Sequence, residues 1–340
     1  MTAPLLARAR DRATVPAFRL GWLLLRLLPE RLAYRLFEVV ADVVTRRDGT
    51  GVQRLRRNYA RVRPDLDGAA LEDVVAKGVR ATLRYYLEAF RLPATSGARV
   101  DAAVTHEGAP FDRLEAELRA GRPVLVFLGH TGNWDLAGAW CARHLGHVVT
   151  VAERLQPEEM FQAFLDFREG ELGMTIHPAE HGTLDRLRDQ LATGEPVVMP
   201  LLADRDLSAS GIEVDLRGHR ARMAAGPALL AAETGLPLFP VTFRHERGAD
   251  GRWGMVMTFH EEIQVDPPGA AERARVITEI TQHCADALGE AIAAHPQDWH
   301  MMQKVFLADL DPARDAARRA GDGAADPHGQ ATGTPGTSAA

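Results

Sequence analysis

Short apolar runs of strand length recur through the middle of the chain. Residues 124–128 read Val-Leu-Val-Phe-Leu, and residues 197–202 read Val-Val-Met-Pro-Leu-Leu. Turn-forming residues bound both runs, so we predict a buried strand at each. Further runs of this kind predict strands at 148–152, 238–243 and 254–260.

Segments with apolar residues at helical spacing lie between these strands. They predict helices over 111–120, 157–173, 183–192, 224–233 and 271–294. Strands that alternate with helices predict an α/β fold, with a mostly parallel central sheet flanked by helices. The chain before this part predicts helices only, including a long one at 71–90, and 96–101 is predicted to be a linker.

The predicted organisation therefore has three parts. Residues 1–95 form a helical, basic region that docks on a membrane, and residues 96–310 form a single α/β domain. Residues 311–340 contain many small and polar residues and almost no large apolar side chain. This composition predicts a disordered tail.

The membrane prediction starts from the apolar character of residues 16–44. No uncharged stretch here is long enough to span a bilayer, because charged residues such as Arg26 and Glu30 interrupt it. Apolar residues at helical spacing, with Trp22 near their start, instead predict helices that lie in the membrane interface. The alternative is that these helices cover the protein's own core.

Charge supports a membrane partner. Residues 1–63 hold fourteen arginines against five acidic residues, although the whole chain has a net charge of −6. Arg54, Arg56 and Arg57 form part of this excess, and such clusters attract anionic lipid head groups. Nucleic acid is not predicted as a partner, because the interleaved aromatic side chains of a stacking surface are sparse. A solvated charged face is the remaining alternative.

No metal site is predicted. The two cysteines form neither a metal-ligand pair nor a disulfide framework. His144 and His147, and likewise His177 and His181, have spacings that could suit a metal, but no third ligand is evident for either pair.

A histidine follows the strand predicted at 124–128. His130 comes after a glycine turn, and Asp204 follows the strand at 197–202 in the same way. If these strands are neighbours in a parallel sheet, both side chains lie at its carboxyl edge, where the carboxylate could orient the imidazole. Asp135 is five positions beyond His130, and a regular helix would turn it away by about 140°, so it could partner His130 only if the intervening turn is not helical. We therefore favour Asp204 as the partner and Asp135 as a residue that shapes the turn. A packed turn histidine without catalytic function is the alternative.

The chemistry predicted for His130 is that of a general base. The chain has no Gly-x-Ser-x-Gly sequence that would present a serine nucleophile. A base without a protein nucleophile fits direct attack of a substrate hydroxyl on a carbonyl group. Backbone N–H groups at a helix start, or an arginine, would stabilise the charge that develops on the carbonyl oxygen.

Residues 130–135, His-Thr-Gly-Asn-Trp-Asp, resemble the His-x4-Asp motif of glycerolipid acyltransferases. Six further stretches resemble the phosphatidylinositol mannoside acyltransferases, a branch of the lipid A lauroyl-type acyltransferase family. These stretches are Arg54-Leu-Arg-Arg-Asn58, Glu88-Ala-Phe-Arg-Leu-Pro93, Val151-Ala-Glu-Arg-Leu155, Leu202-Ala-Asp-Arg-Asp-Leu207, Arg222-Met-Ala-Ala-Gly-Pro227 and Asp298-Trp-His-Met301. Together they cover about residues 16–310 and are more specific than the six-residue motif.

The resemblance implies a peripheral enzyme on the cytoplasmic face of the plasma membrane. It implies transfer of a fatty acyl chain, palmitoyl being the expected one, from acyl-CoA to the 6-hydroxyl of the mannose of a phosphatidylinositol mannoside. The thioester donor is already activated, so no metal or redox cofactor is expected. An apolar groove for the acyl chain is implied as well.

The resemblance also implies roles for single residues. His130 corresponds to the general base, and Asp204 stands where the family places an acidic charge-relay residue that is often Glu. Glu153 and Arg168 correspond to polar residues that hold the glycan or phosphate end, and Arg205 is placed with them. Asn133 and Asp135 support the motif. For Glu153 and Arg168 the alternative is an ordinary surface salt bridge.

Two other functions stay open on the sequence. The same chemistry could serve another lipid glycan or a lysophospholipid. A protein of another class, which binds anionic membranes without catalysis, would account for the arginines but not for His130 and its acidic partner.

Overall fold

A computed structural model describes residues 25–153, 161–162, 165–206, 211–248 and 250–311. Trp22 and all but the first residue of the predicted tail lie outside these ranges. Within them, every helix is too short or too polar to cross a membrane.

Nine α-helices and nine strands lie wholly within the described ranges. The helices are α1 Glu30–Arg47, α2 Thr50–Val62, α3 Gly68–Arg91, α4 Gly97–Ala103, α5 Pro110–Arg119, α6 Trp134–His144, α7 Thr183–Ala192, α8 Gly226–Thr234 and α9 Arg273–Ala294. The strands are β1 Val104–Glu107, β2 Val124–Leu128, β3 His147–Ala152, β4 Thr175–Pro178, β5 Val197–Leu202, β6 Ile212–Leu216, β7 His219–Met223, β8 Leu238–Arg247 and β9 Trp253–Phe259.

Seven strands form the central sheet, in the order β1-β9-β8-β2-β5-β3-β4. All neighbours are parallel except β8 and β9, which are antiparallel. Strands β6 and β7 form a separate antiparallel hairpin. The predicted α/β fold with a mostly parallel sheet is therefore confirmed.

Strands β2 and β5 lie side by side at the centre of this sheet. Their register pairs Val124 with Val198 and Leu128 with Leu202, so both strands end at the same level. Successive side chains of β2 point to opposite faces. Leu125 and Phe127 pack on one side with the core that α2, α3, α8 and α9 complete, whereas Val126 and Leu128 pack on the other side with residues of α5 and α6. Burial on both faces explains why β2 is apolar at every position.

The helices before the sheet share its core. Tyr59 of α2 and Val79 of α3 are fully buried in the same cluster as Leu125. Helices α2 and α3, which follow the apolar stretch 16–44, thus cover the protein's own core. Within that stretch, α1 buries Ala33 and Ala41. Helix α1 differs, because it keeps an exposed apolar row at Leu32, Leu36, Val39, Val40 and Val43.

Two local predictions need correction. The stretch at 96–101 is not a linker, because helix α4 occupies most of it, and the Ser96 hydroxyl accepts a hydrogen bond from Arg99 N as a helix cap. The short strands β1, β4 and β7 were not predicted, since four or five residues give too weak an alternation. The helix predicted at 157–173 lies only partly in the described ranges, where Asp166–Glu171 is a π-helical turn.

Candidate active site

His130 and Asp204 meet at the carboxyl edge of the sheet. His130 lies two residues beyond β2, and Asp204 lies two residues beyond β5. The distance from His130 Nδ1 to Asp204 Oδ1 is 2.5 Å, and His130 N donates a hydrogen bond of 2.9 Å to Asp204 Oδ2. The carboxylate therefore holds both the backbone and the ring of the histidine, which is the arrangement expected for neighbouring parallel strands.

The ionisation of Asp204 sets the state of the ring. Burial opposes a charge on this fully buried residue, but His130 and Trp299 hold the pKa of the carboxyl below its ordinary value. A carboxylate accepts hydrogen bonds only, so Nδ1 of the neutral His130 ring carries the proton. Nε2 is then the unprotonated nitrogen. It has no hydrogen-bond partner among the described residues, and the side chain is 21% exposed.

Trp299, in the segment after α9, also contacts the Asp204 carboxylate. Its indole Nε1 donates a hydrogen bond of 3.0 Å to Asp204 Oδ2, and the side chain is fully buried. The backbone around Trp299 runs beside the turn of residues 129–133, which we call the histidine turn. Thr131 forms an antiparallel bridge with Trp299, and His300 N donates to His130 O at 2.8 Å. The segment 298–300 therefore contacts the candidate site directly.

Gly132 gives the turn its shape. Its φ of +53° lies in the left-handed region, and an added Cβ would come within 2.5 Å of Phe243 Cβ on β8. Only glycine avoids both the backbone strain and this contact. The turn therefore lies directly against β8, with Phe243 N also donating to Thr131 Oγ1 at 3.0 Å.

Asn133 begins helix α6. Its Oδ1 accepts a hydrogen bond from Leu136 N at 2.9 Å, the usual contact of an N-cap residue. Its Nδ2 donates to Glu88 Oε2 at 2.8 Å, which joins the turn to helix α3. Asn133 thus supports the turn without contacting the His130 ring in the described structure.

Asp135 is not the partner of His130, as predicted, but the reason differs, because residues 130–133 are not helical and α6 begins only at Trp134. Asp135 Oδ2 accepts a hydrogen bond of 2.9 Å from the Tyr85 hydroxyl. Asp135 Oδ1 forms an ion pair with Arg168 Nη2 at a distance of 2.7 Å. The Asp135 side chain is only 5% exposed, so this pair is not the ordinary surface salt bridge considered as an alternative. Burial opposes the charge of Arg168, but Asp135 raises the pKa of the guanidinium.

Glu153 and Arg205 form an ion pair at the rim of the same edge. Glu153 follows β3, Arg205 follows Asp204, and Arg205 Nη2 lies 2.6 Å from Glu153 Oε2. Arg205 also donates to the Gln303 side chain. Glu153 is about half exposed, which leaves one side of this pair open to solvent.

The arginines predicted to meet the membrane differ in their contacts. Arg54 pairs with Asp309, and Arg56 pairs with Asp48 and Glu72, so much of their charge is compensated within the protein. Arg57 is exposed. The apolar row on α1 is flanked by a separate set of exposed arginines, Arg31, Arg35, Arg46 and Arg47.

Three backbone N–H groups of the turn already have acceptors. His130 N donates to Asp204, Thr131 N donates to Gly129 O, and Gly132 N donates to the Asp298 carbonyl. None of the three is available to stabilise a substrate oxygen in this arrangement. Across the described ranges, no group of three or more His, Cys, Asp or Glu side chains is placed to hold a metal ion.

Comparison with known proteins identifies the family. The model of the bacterial lipid A biosynthesis acyltransferases matches residues 8–308. The chain belongs to this family. It is 38% identical over 299 residues to the phosphatidylinositol mannoside acyltransferase of Mycolicibacterium smegmatis, covering 87% of this chain and 92% of that protein. It is 37% identical over 311 residues to the enzyme of the same name from Mycobacterium tuberculosis, covering 90% and 93% of the two chains.

The resemblance found in the sequence is thereby confirmed, and the chain is an acyltransferase. A membrane-binding protein without catalysis is set aside. What sequence reasoning missed is the buried shell behind the acyltransferase motif, namely Tyr85, Glu88, His245 and Trp299. A signal existed for two of its segments, since the stretches that begin at Glu88 and Asp298 carry the family resemblance.

Proposed function

We propose that this acyltransferase moves a fatty acyl chain from acyl-CoA to the 6-hydroxyl of a mannose in a phosphatidylinositol mannoside. The names of the two mycobacterial relatives support this acceptor. The observation that carries the chemistry is the His130–Asp204 contact, with the His130 side chain 21% exposed. Palmitoyl is the acyl chain we expect.

In the proposed reaction His130 Nε2 takes the proton of the mannose hydroxyl as its oxygen attacks the thioester carbonyl carbon. The ring is then an imidazolium, which the Asp204 carboxylate stabilises. When the tetrahedral intermediate collapses, the carbon–sulfur bond breaks. The CoA thiolate takes the proton from Nε2, so the products are the ester and free CoA, and the enzyme returns to its starting state.

Asp204 and Trp299 are proposed to keep the ring in the productive tautomer. Asp204 lies two residues beyond β5, and its Oδ2 accepts hydrogen bonds from Trp299 Nε1 and His130 N. This leaves Oδ1 for the ring alone. The arrangement resembles the role of the aspartate in a serine-protease triad, which orients the histidine and stabilises its charge.

Glu153, Arg168 and Arg205 are proposed to hold the polar end of the acceptor. Glu153 and Arg205 lie at the rim beside His130, where hydroxyl groups and a phosphate could replace part of their mutual contact. Arg168 has a side chain 17% exposed, and its buried part holds Asp135. A guanidinium suits a phosphate because it can donate two parallel hydrogen bonds. The N–H groups of the turn are occupied, so the arginine alternative is favoured for the developing oxyanion.

The donor and the location belong to the same proposal. Acyl-CoA is proposed as the co-substrate. Its thioester is already activated, so the transfer needs no metal or redox cofactor. A peripheral position on the cytoplasmic face of the plasma membrane would give access to both CoA thioesters and lipid acceptors. The exposed apolar row of α1 supports docking on an anionic surface, because exposed arginines stand on the same helix before, within and after this row in the sequence.

The test is CoA release from palmitoyl-CoA with and without a phosphatidylinositol mannoside, followed by mass spectrometry of the lipid. We expect release that depends on the acceptor and one added acyl chain on mannose. The His130→Ala variant should release no CoA, whereas the matched variant His147→Ala, at an exposed histidine of β3, should behave as the wild type. Full transfer by His130→Ala would overturn the mechanism.

The second candidate is the same transfer to another lipid glycan or to a lysophospholipid. The family match supports acyl transfer but does not by itself fix the acceptor. This candidate therefore ranks above any function of another class. Acylation of one of these lipids, with the mannoside left unmodified, would decide for it. CoA release without an acylated lipid would indicate hydrolysis and would count against the mannoside.

A further inference from the structure

A buried cluster of charges lies behind the histidine turn. His245 of β8 places Nδ1 2.8 Å from Asp298 Oδ1 and Nε2 3.6 Å from Glu88 Oε2. The His245 side chain is 2% exposed and that of Asp298 is 4% exposed. The three residues come from a central strand, helix α3 and the segment after α9, and the reaction steps above use none of them.

The cluster is arranged for a charged histidine. Burial favours the neutral ring, but Asp298 and Glu88 raise the pKa of His245 to about 9. Burial likewise opposes the charges of Glu88 and Asp298, and His245 holds the pKa of both carboxyls below their ordinary values. The Arg84 guanidinium adds a second positive charge next to Glu88, so two cations face two anions.

Both carboxylate residues also hold the histidine turn. The Asp298 carbonyl accepts a hydrogen bond of 2.9 Å from Gly132 N, and Glu88 Oε2 accepts one of 2.8 Å from Asn133 Nδ2. The residue after Asp298 is Trp299, whose indole holds Asp204. His245 therefore contacts the two residues that fix the far side of the turn, without contacting His130.

We propose that His245 is a positioning residue of the active site, which as a cation holds Glu88 and Asp298 where they fix Gly132, Asn133 and Trp299 around the His130–Asp204 pair. The inference rests on the proposed role of that pair in acyl transfer. If His245 loses its proton, the two buried carboxylates keep the charges of Arg84 and Arg244, but Arg244 is already paired with Glu107. Uncompensated buried charge is costly, so the segment that carries Trp299 shifts and the short Nδ1–Oδ1 contact is lost.

The groups that surround His245 come from every element packed on it. They are Arg84 and Glu88 on α3, Arg244 on β8, Trp253 on β9, and Asp298 and His300 after α9. Tyr34 on α1 acts indirectly, because it contacts Glu88. Burial and the nearby His245 lower the pKa of His300 to about 3. His300 is therefore neutral above that pH and does not compensate the carboxylates, which leaves His245 as the group that titrates above neutrality.

The experiment uses proton NMR of the full-length protein, because a proton held between His130 Nδ1 and Asp204 should give a resolved low-field signal. We expect the wild type to lose this signal as the pH rises through about 9, the pKa of His245. His245→Asn keeps a donor near Asp298 but has no proton to lose. Its signal should be weaker at neutral pH and should no longer change in that range. His245→Leu removes both contacts and should lack the signal.

His260→Gln is the matched control. His260 follows β9, is partly buried and contacts the Thr242 hydroxyl at 2.8 Å, but it makes no contact with the cluster. Its variant should keep the wild-type signal and pH dependence. If His245→Leu does not fold, His245→Asn decides alone. An unchanged signal and an unchanged pH dependence in His245→Asn would overturn the proposal, as would the absence of the signal from the wild type.

Kinetics supply a second readout that separates this proposal from the proposed function. For His245→Asn we expect kcat to fall by up to about 10²-fold, the effect of misplacing a reacting group by about 1 Å, with KM for palmitoyl-CoA unchanged. A rise in KM alone would assign His245 to binding and overturn positioning. If the wild type transfers no acyl chain to any acceptor, the proposed function fails, and the NMR comparison still decides the role of His245.

Discussion

Replacing Asp204 by asparagine tests how the carboxylate controls the candidate base. Oδ2 of Asp204 accepts two hydrogen bonds, from His130 N and from Trp299 Nε1, whereas Oδ1 faces only the ring. In Asp204→Asn the amide oxygen keeps the two donors if it occupies the position of Oδ2. The amide nitrogen then faces Nδ1 and donates to it, so the ring must carry its proton on Nε2.

The consequence is large for catalysis and small for folding. A ring protonated on Nε2 cannot take the acceptor's proton, and the same change in a serine-protease triad lowers kcat by about 10⁴-fold. That is an increase of about 5 kcal/mol in the activation free energy. All three contacts still have a donor and an acceptor, so the free energy of unfolding should change by no more than about 1 kcal/mol.

The assay is kcat for CoA release at saturating acceptor, with ¹⁵N NMR of the histidines to read which ring nitrogen is protonated. Asp206→Asn is the control, since the same exchange two residues on leaves the His130 pair intact and should keep the wild-type kcat. If folded Asp204→Asn retains kcat within about tenfold of the wild type, well short of the tautomer effect, the argument from the tautomer is wrong.

Three further changes test the turn, its support and the surface. Arg168→Met leaves Asp135 buried without its cation, and urea unfolding should show a loss of about 3 kcal/mol; an unchanged midpoint would contradict the account of this pair. Gly132→Ala strains the turn by about 1–3 kcal/mol and pushes it off β8, so both the melting temperature and kcat should fall, and wild-type values would refute the packing. Leu36→Glu with Val39→Glu should abolish co-sedimentation with anionic vesicles but leave the melting temperature unchanged, whereas retained binding would remove α1 from the docking surface.

The sheet and the His130–Asp204 pair could be predicted because each depends on local sequence. An apolar run of five or six residues followed by a turn gives both the strand and the side chain at its end. Parallel neighbours end at one edge, so only the adjacency of β2 and β5 had to be assumed. The argument that excluded Asp135 assumed a regular helix over 130–135, whereas α6 begins only at Trp134, so its conclusion held for another reason, the contacts of Asp135 with Tyr85 and Arg168.

The buried shell could not be predicted in this way. Tyr85 contacts Asp135 across 50 positions of the chain, and Trp299 reaches Asp204 across 95. Nothing near Trp299 in the sequence indicates a partner just beyond β5, because the contact exists only after α9 has packed on the sheet. The ion pairs of the arginines could not be predicted either, since Arg54 pairs with Asp309 near the end of the described chain.

The contacts of Trp299 also bear on when the proposed active site can form during synthesis of the chain. Its indole holds Asp204, its carbonyl accepts from the Tyr59 hydroxyl, and Asn58 binds the carbonyls of Met301 and Gln303. A nascent chain that lacks this segment can pair β2 with β5 but cannot enclose the carboxylate. We therefore expect the proposed active site to be complete only after residue 303 has left the ribosome, and incomplete chains to be inactive toward their substrates.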